Sequence, residues 1–109
     1  MTLANVLKER GEKKKTLRRE AAAEARRLAL LLKKRFRLES IYIYGSVLTD
    51  YFGSHSDIDM VIKGLPVNDF FKAQAVLIKE SGYKIDLKPF EDLSEDFKEK
   101  VLTEGMKVG

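Results

Sequence analysis

The chain has 109 residues, 44% of them hydrophobic and 35% charged, with no cysteine and a single histidine. That length supports one hydrophobic core and excludes a second domain. The missing cysteines exclude disulfide stapling and a thiolate zinc site and suit a reducing compartment. No apolar run approaches the ~20 residues of a membrane span, and Met1 to Arg10 is too polar for a secretory leader, so a cytoplasmic protein is expected.

The net charge of +4 conceals an asymmetry. Residues 1–39 hold 13 Lys/Arg against 5 Asp/Glu, and residues 40–109 hold 8 Lys against 12 acids. A basic segment, 1–38, thus precedes an acidic body, 40–109, within one domain. Such a block contacts an anionic ligand or nucleic acid, or is simply the solvated face of a helix.

In chain order, Thr2 to Arg10 has the composition of one or two helical turns, interrupted at Gly11. From Glu12 to about Arg37, Leu17, Ala21, Ala25, Leu28, Leu32 and Phe36 recur at spacings of three and four. Those spacings predict one face of a long α-helix. Ile41 to Tyr44 is β-branched or aromatic throughout and predicts a strand buried on both faces. Thr49 to Ser56 has turn formers and no period, hence a loop. Asp57 to Lys63 alternates, with Ile58, Met60 and Ile62 on one side and Asp57, Asp59 and Val61 on the other.

Asn68 or Asp69 is placed to cap a helix running to about Ser81, with Phe70, Phe71, Ala75, Leu77 and Ile78 apolar and Gly82 as its stop. Tyr83 to Phe90 reads as a third strand. Ser94 caps a last helix with Glu95 and Asp96 in its first turn and Phe97, Val101 and Leu102 apolar. Gly105 ends it, and Met106 to Val108 forms a short edge strand. The predicted architecture is α/β (α+β) in the order α-β-β-α-β-α, a small mixed β-sheet packed by helices.

Two carboxylates on one strand face, Asp57 and Asp59, lie about 6.6 Å apart along it. Asp86 sits mid-strand between Ile85 and Leu87, so its side chain leaves the buried face and joins them if the strands are neighbours. Three such groups repel one another without a cation but make a hard oxygen site for Mg²⁺. Two metals held by them would stabilise the attacking and leaving oxygens of a phosphoryl transfer. Gly45-Ser46 ends the preceding strand, where glycine permits close approach of a phosphate and the hydroxyl and amides can donate to it.

Gly45-Ser46, ten intervening residues and Asp57-Ile58-Asp59 resemble the signature of minimal nucleotidyltransferases of the DNA polymerase beta superfamily. IYIYG before it, MVIKG after it and IDLKPFEDLSEDFKEKVLTEG at the close are also similar, and the resemblance spans residues 15–108. It implies a polymerase-beta-like nucleotidyltransferase fold. It further implies an antitoxin paired with an all-helical HEPN toxin and a transfer of AMP from ATP to a tyrosine hydroxyl of that toxin. On these positions Asp57, Asp59 and Asp86 would be the catalytic metal ligands for two Mg²⁺ ions, Asp86 also helping to deprotonate the acceptor. Gly45 and Ser46 would bind the nucleotide. The chain departs from the pattern in one place: family members commonly continue with Arg-Gly, and here Val47-Leu48-Thr49-Asp50 follows. That departure favours, as the alternative, an antitoxin that neutralises its partner by binding alone.

Other candidates have plainer readings. His55 is a phosphate contact or an exposed loop residue. Lys63 and Lys88 neutralise phosphate or guard a sheet edge. Tyr42 and Tyr44 are packing residues of an apolar strand. The basic helix lacks interleaved aromatics for base stacking, which leaves nucleic-acid binding a minor alternative.

Overall fold

The computed structural model describes residues 2–49, 52–53 and 56–109, and gives only the backbone for residues 6–12 and 14. His55 and Asp50 lie outside the described residues.

Helix α1 runs unbroken over Leu3–Arg35, capped by the Thr2 hydroxyl, which accepts from the Asn5 amide at 3.3 Å. The break expected at Gly11 is absent. One glycine costs a helix about 1 kcal/mol, too little to stop a segment so rich in strong helix formers. The helix ends two residues before the expected Arg37, where Phe36 turns extended while its amide still bonds the Leu32 carbonyl. Lys33, Lys34 and Arg35 occupy the last turn, where cations suit the helix dipole. At 33 residues it spans about 50 Å. Its described side chains before Leu17 are all exposed, so the first half projects beyond the core.

Strands β1 (Ser40–Tyr44), β2 (Ile58–Lys63), β3 (Ile85–Pro89) and β4 (Met106–Lys107) form a mixed sheet in the order β3-β2-β1-β4. β1 is antiparallel to both β2 and β4, and β2 is parallel to β3. Helix α2 (Phe70–Glu80) supplies the crossover that a parallel pair requires, and α3 (Glu95–Glu104) follows β3.

The strand alternation divides the interior into two layers. Ile41, Ile43, Ile58, Met60, Ile62 and Leu87 pack beneath α1 and α2, against Ala21, Ala25, Leu28, Leu32, Ala73 and Leu77. On the opposite face Val61, Phe90 and Val101 are buried, with Tyr42, Tyr44 and Phe97 packed around them under α3. β1 is thus covered on both faces, as its composition predicts. Val47, in the turn after β1, and Phe52, in the loop that follows, are buried in the first layer.

The α2 face differs from expectation. Leu77 is buried, but Phe71 is 77% exposed and Ile78 72% exposed, and Ala73 takes the inward position instead. A 3₁₀ turn over Val67–Asp69 leads into the helix and rotates its entry, and Asp69 makes no capping bond. The helix stops because Ser81 turns extended, before Gly82 is reached. Among the described residues, no helix is long and apolar enough to cross a membrane.

Candidate active site

The site begins where β1 stops. Gly45 takes a left-handed φ of +78° and opens a 3₁₀ turn over Gly45–Leu48. A Cβ at Gly45 would stand 2.8 Å from an Asp59 carboxylate oxygen. Glycine is therefore required twice, for its dihedral and for its lack of side chain. Thr49 closes the turn, its amide and hydroxyl both donating to the Ser46 carbonyl at 2.9 Å.

Tyr44 pairs with Asp59 across β1 and β2, and Asp59 pairs with Asp86 across β2 and β3. Tyr44, Asp59 and Asp86 therefore form one row on the α3 face of the sheet, because facing residues in register share a side. The next row along is Tyr42, Val61 and Lys88. Lys88 reaches back toward the first row: its ammonium donates to Asp86 and lies 6.0 Å from the centre of the Tyr44 ring. Phe97 of α3 meets Tyr44 edge-on with ring centroids 5.3 Å apart.

The electrostatics follow from this crowding. Partial burial raises the Asp59 pKa above the usual carboxylate range, and the neighbouring Asp86 charge raises it further. The hydrogen bond to Asp86 raises the Lys88 pKa, and burial raises that of the Tyr44 phenol. Asp57 precedes β2 by one residue, since the strand starts at Ile58, and is 3.8 Å from the Lys84 ammonium.

The structure thus brings Gly45, Asp59 and Asp86 together and leaves Asp57 beside them at the mouth of the strand. Among the described residues, no three His, Cys, Asp or Glu side chains are clustered closely enough to enclose a metal ion. The donor chemistry nonetheless fits Mg²⁺. The oxygens are hard, and the two facing carboxylates carry a like-charge strain that a divalent cation relieves. Asp57 is held by the exposed Lys84 and Asp86 by the half-buried Lys88, whose ammonium groups a cation can replace.

Tyr44, whose sequence reading is packing, stands in the aspartate row, and Lys88, read as neutralising phosphate or guarding a sheet edge, lies beside it. For the tyrosine the available signal is adjacency to Gly45; for the lysine, a spacing of two from Asp86 already puts both on one strand face.

A mixed four-stranded sheet with two carboxylates facing each other beside a glycine turn defines a nucleotidyltransferase-type α+β fold. The sequence profile described as Polymerase beta, Nucleotidyltransferase matches residues 26–108, and the chain belongs to that family. Two solved structures share the fold. One, a toxin–antitoxin with AMP-PNP, has a TM-score of 0.61 at 23% identity over 72% of this chain and 67% of that one. The other, a mutant of the toxin–antitoxin MntA-HpeT, has a TM-score of 0.61 at 18% identity over 81% of this chain and 71% of that one. No curated protein sequence matches significantly.

Proposed function

We propose that this chain is the antitoxin of a toxin–antitoxin pair and transfers AMP from ATP to a tyrosine hydroxyl of a HEPN-type toxin, using Mg²⁺. The observation that carries the reading is the facing pair Asp59 and Asp86 with Gly45 packed against Asp59. Family membership supports nucleotidyl transfer, and the similar solved structures are toxin–antitoxin assemblies, one of them with an ATP analogue.

In this reading Asp57, Asp59 and Asp86 hold the metal, and Gly45 and Ser46 receive the phosphates. Bound Mg²⁺ supplies neutralisation of the charge that develops on the phosphoryl oxygens. The acceptor hydroxyl oxygen forms a bond to the α-phosphorus while the bond from that phosphorus to pyrophosphate breaks. Asp86 takes the hydroxyl proton on a carboxylate oxygen, and Lys88 beside it holds that carboxylate in place beforehand.

The test is mass spectrometry of the partner after incubation with the protein, ATP and Mg²⁺. The expected outcome is one AMP added to a partner tyrosine and no addition with the Asp57→Ala, Asp59→Ala double variant. Transfer that survives the double variant sinks the assignment of these residues. A second reading, neutralisation by binding alone, is favoured by the absence of any Lys or Arg between Gly45 and Ile62. It predicts that the double variant still protects cells from the toxin.

A further inference from the structure

The row that carries the proposed chemistry holds a hydroxyl as well as its carboxylates. Tyr44 faces Asp59 in register and Asp59 faces Asp86, so the three side chains rise from one side of the sheet. β1 and β3 stand two strand spacings apart, about 9.5 Å, a gap that a tyrosine side chain largely covers. The Lys88 ammonium donates to Asp86 and also lies 6.0 Å from the centre of the Tyr44 ring. One ammonium thus neighbours both the tyrosine and the Asp86 carboxylate. The charges of Lys88, Asp59 and Asp86 all act on the phenol. Phe97 of α3 meets the ring edge-on, with centroids 5.3 Å apart, and limits where it can swing.

The chain has four tyrosines. Tyr42 lies one row further from the glycine turn, opposite Val61, and its hydroxyl accepts from the Ser40 hydroxyl at 3.5 Å. Tyr83 packs against the other layer, beneath α1 and α2. Tyr51 lies outside the described residues. Among the described tyrosines, Tyr44 alone shares the carboxylate row. It is half-buried, and with Gly45 it lines an open cavity of about 470 Å³ whose other walls include Leu48, Thr49, Phe97 and Lys100. That volume is in the range of small-molecule sites, so a nucleotide can reach the phenol from solvent.

We propose that Tyr44 is itself an acceptor: with no partner present, the chain transfers AMP from ATP to its own Tyr44 hydroxyl. This rests on the reading of the aspartate row as the site of AMP transfer to tyrosine. The Tyr44 Oη forms a bond to the α-phosphorus while the bond from that phosphorus to pyrophosphate breaks. The phenol proton passes to an Asp86 carboxylate oxygen, and pyrophosphate leaves. Hydroxyl and carboxylates belong to one sheet, so the reacting groups are held together without a docking step. The product fills the row, so each chain accepts one AMP and then stops.

The experiment is incubation of the purified full chain, without any partner, with ATP and Mg²⁺, followed by mass spectrometry of the intact protein and its peptides. The expected result is one AMP on Tyr44, absent from Tyr44→Phe and from Asp86→Asn and present in Tyr42→Phe. The fraction modified at a given time should be the same over an about tenfold range of protein concentration, as reaction within one chain requires. AMP on Tyr42, Tyr51 or Tyr83 with Tyr44 unmodified overturns the proposal, and so does a rate that rises in proportion to protein concentration. Calorimetric titration with a non-hydrolysable ATP analogue in Mg²⁺ separates the two ways of failing. Binding of the analogue with no AMP added from ATP overturns the proposal and leaves the nucleotide reading standing. No binding and no addition remove both together. The modified residue is located in the natural sequence, so the decision stands even if Tyr44→Phe fails to fold.

Discussion

Gly45 and Asp59 are in such close contact that the smallest side chain at position 45 would overlap an Asp59 carboxylate oxygen, 2.8 Å away. The contact joins the end of β1 to the start of β2 and fixes where the carboxylate points. Gly45→Ala meets two penalties, a left-handed φ and this overlap, and the neighbour that must yield is the proposed metal ligand. A stability loss of about 1–3 kcal/mol is expected from the strain alone. Nucleotide affinity should fall further than the melting temperature implies, which titration of the folded variant with ATP and Mg²⁺ would register.

Asp59 and Asp86, paired across the parallel strands, predict the opposite trade for Asp59→Asn. The folded-state pKa of Asp59 is raised, so the folded protein holds its proton more tightly than the unfolded chain does. Its ionisation therefore costs stability once the pH rises through that raised value, and the cost is absent below the unfolded value. Without metal, Asp59→Asn should melt about 1–3 °C higher at neutral pH, the shift being small because the group is partly solvated. The gain should vanish toward pH 3. Thermal melts in chelator across that range would check both the sign and the window, and activity should be lost throughout.

Glu24 is the corresponding case with the opposite sign. It accepts from Arg27 on its own helix and from the Ser81 hydroxyl at 2.9 Å, and that hydroxyl receives the Tyr83 amide at 3.1 Å. Arg27 also donates to the Glu80 carbonyl at 2.7 Å, so the network ties the end of α2 to α1. Glu24 is only 17% exposed, and the bond from Arg27 lowers its pKa. Its stabilisation is then full above the unfolded-state pKa and is lost as pH falls through the lower folded value. Glu24→Ala should cost about 1–2 kcal/mol at pH 7, chiefly by leaving Ser81 and Arg27 without their acceptor. The difference from the unmodified protein should shrink below about pH 4, as denaturant titrations at two pH values would reveal.

The strands and the carboxylate row were legible in the sequence because alternation fixes which face a strand residue occupies. Ile58, Met60 and Ile62 are buried together, and Asp86 leaves the face of Leu87 as its neighbours require. Three things were not legible. Gly11 does not interrupt α1, because the helix formers on either side outweigh one glycine. The place of Tyr44 in the aspartate row depends on which strands are neighbours, and adjacency is a tertiary fact. The turn after Gly45 lies against α1 through the buried Val47, which no periodicity reveals.

The inward rotation of α2 gives the last prediction, a contrast between two large apolar residues on one helix. The sequence ranks Phe71 and Leu77 alike, yet Phe71 is 77% exposed and Leu77 is 1% exposed. Leu77→Ala removes atoms from the layer beneath Ile43, Met60 and Leu28, and should cost about 2–5 kcal/mol. Phe71→Ser deletes a larger side chain but leaves little cavity, since its ring touches chiefly Phe70, edge-on at 5.7 Å between centroids. Its cost should be about 0.5 kcal/mol or less, the range of substitutions away from packed features. Denaturant unfolding of the two variants side by side decides the helix phase. If Phe71→Ser proves as costly as Leu77→Ala, α2 is rotated toward the face its sequence suggested, and the 3₁₀ turn at Val67–Asp69 does not set its entry.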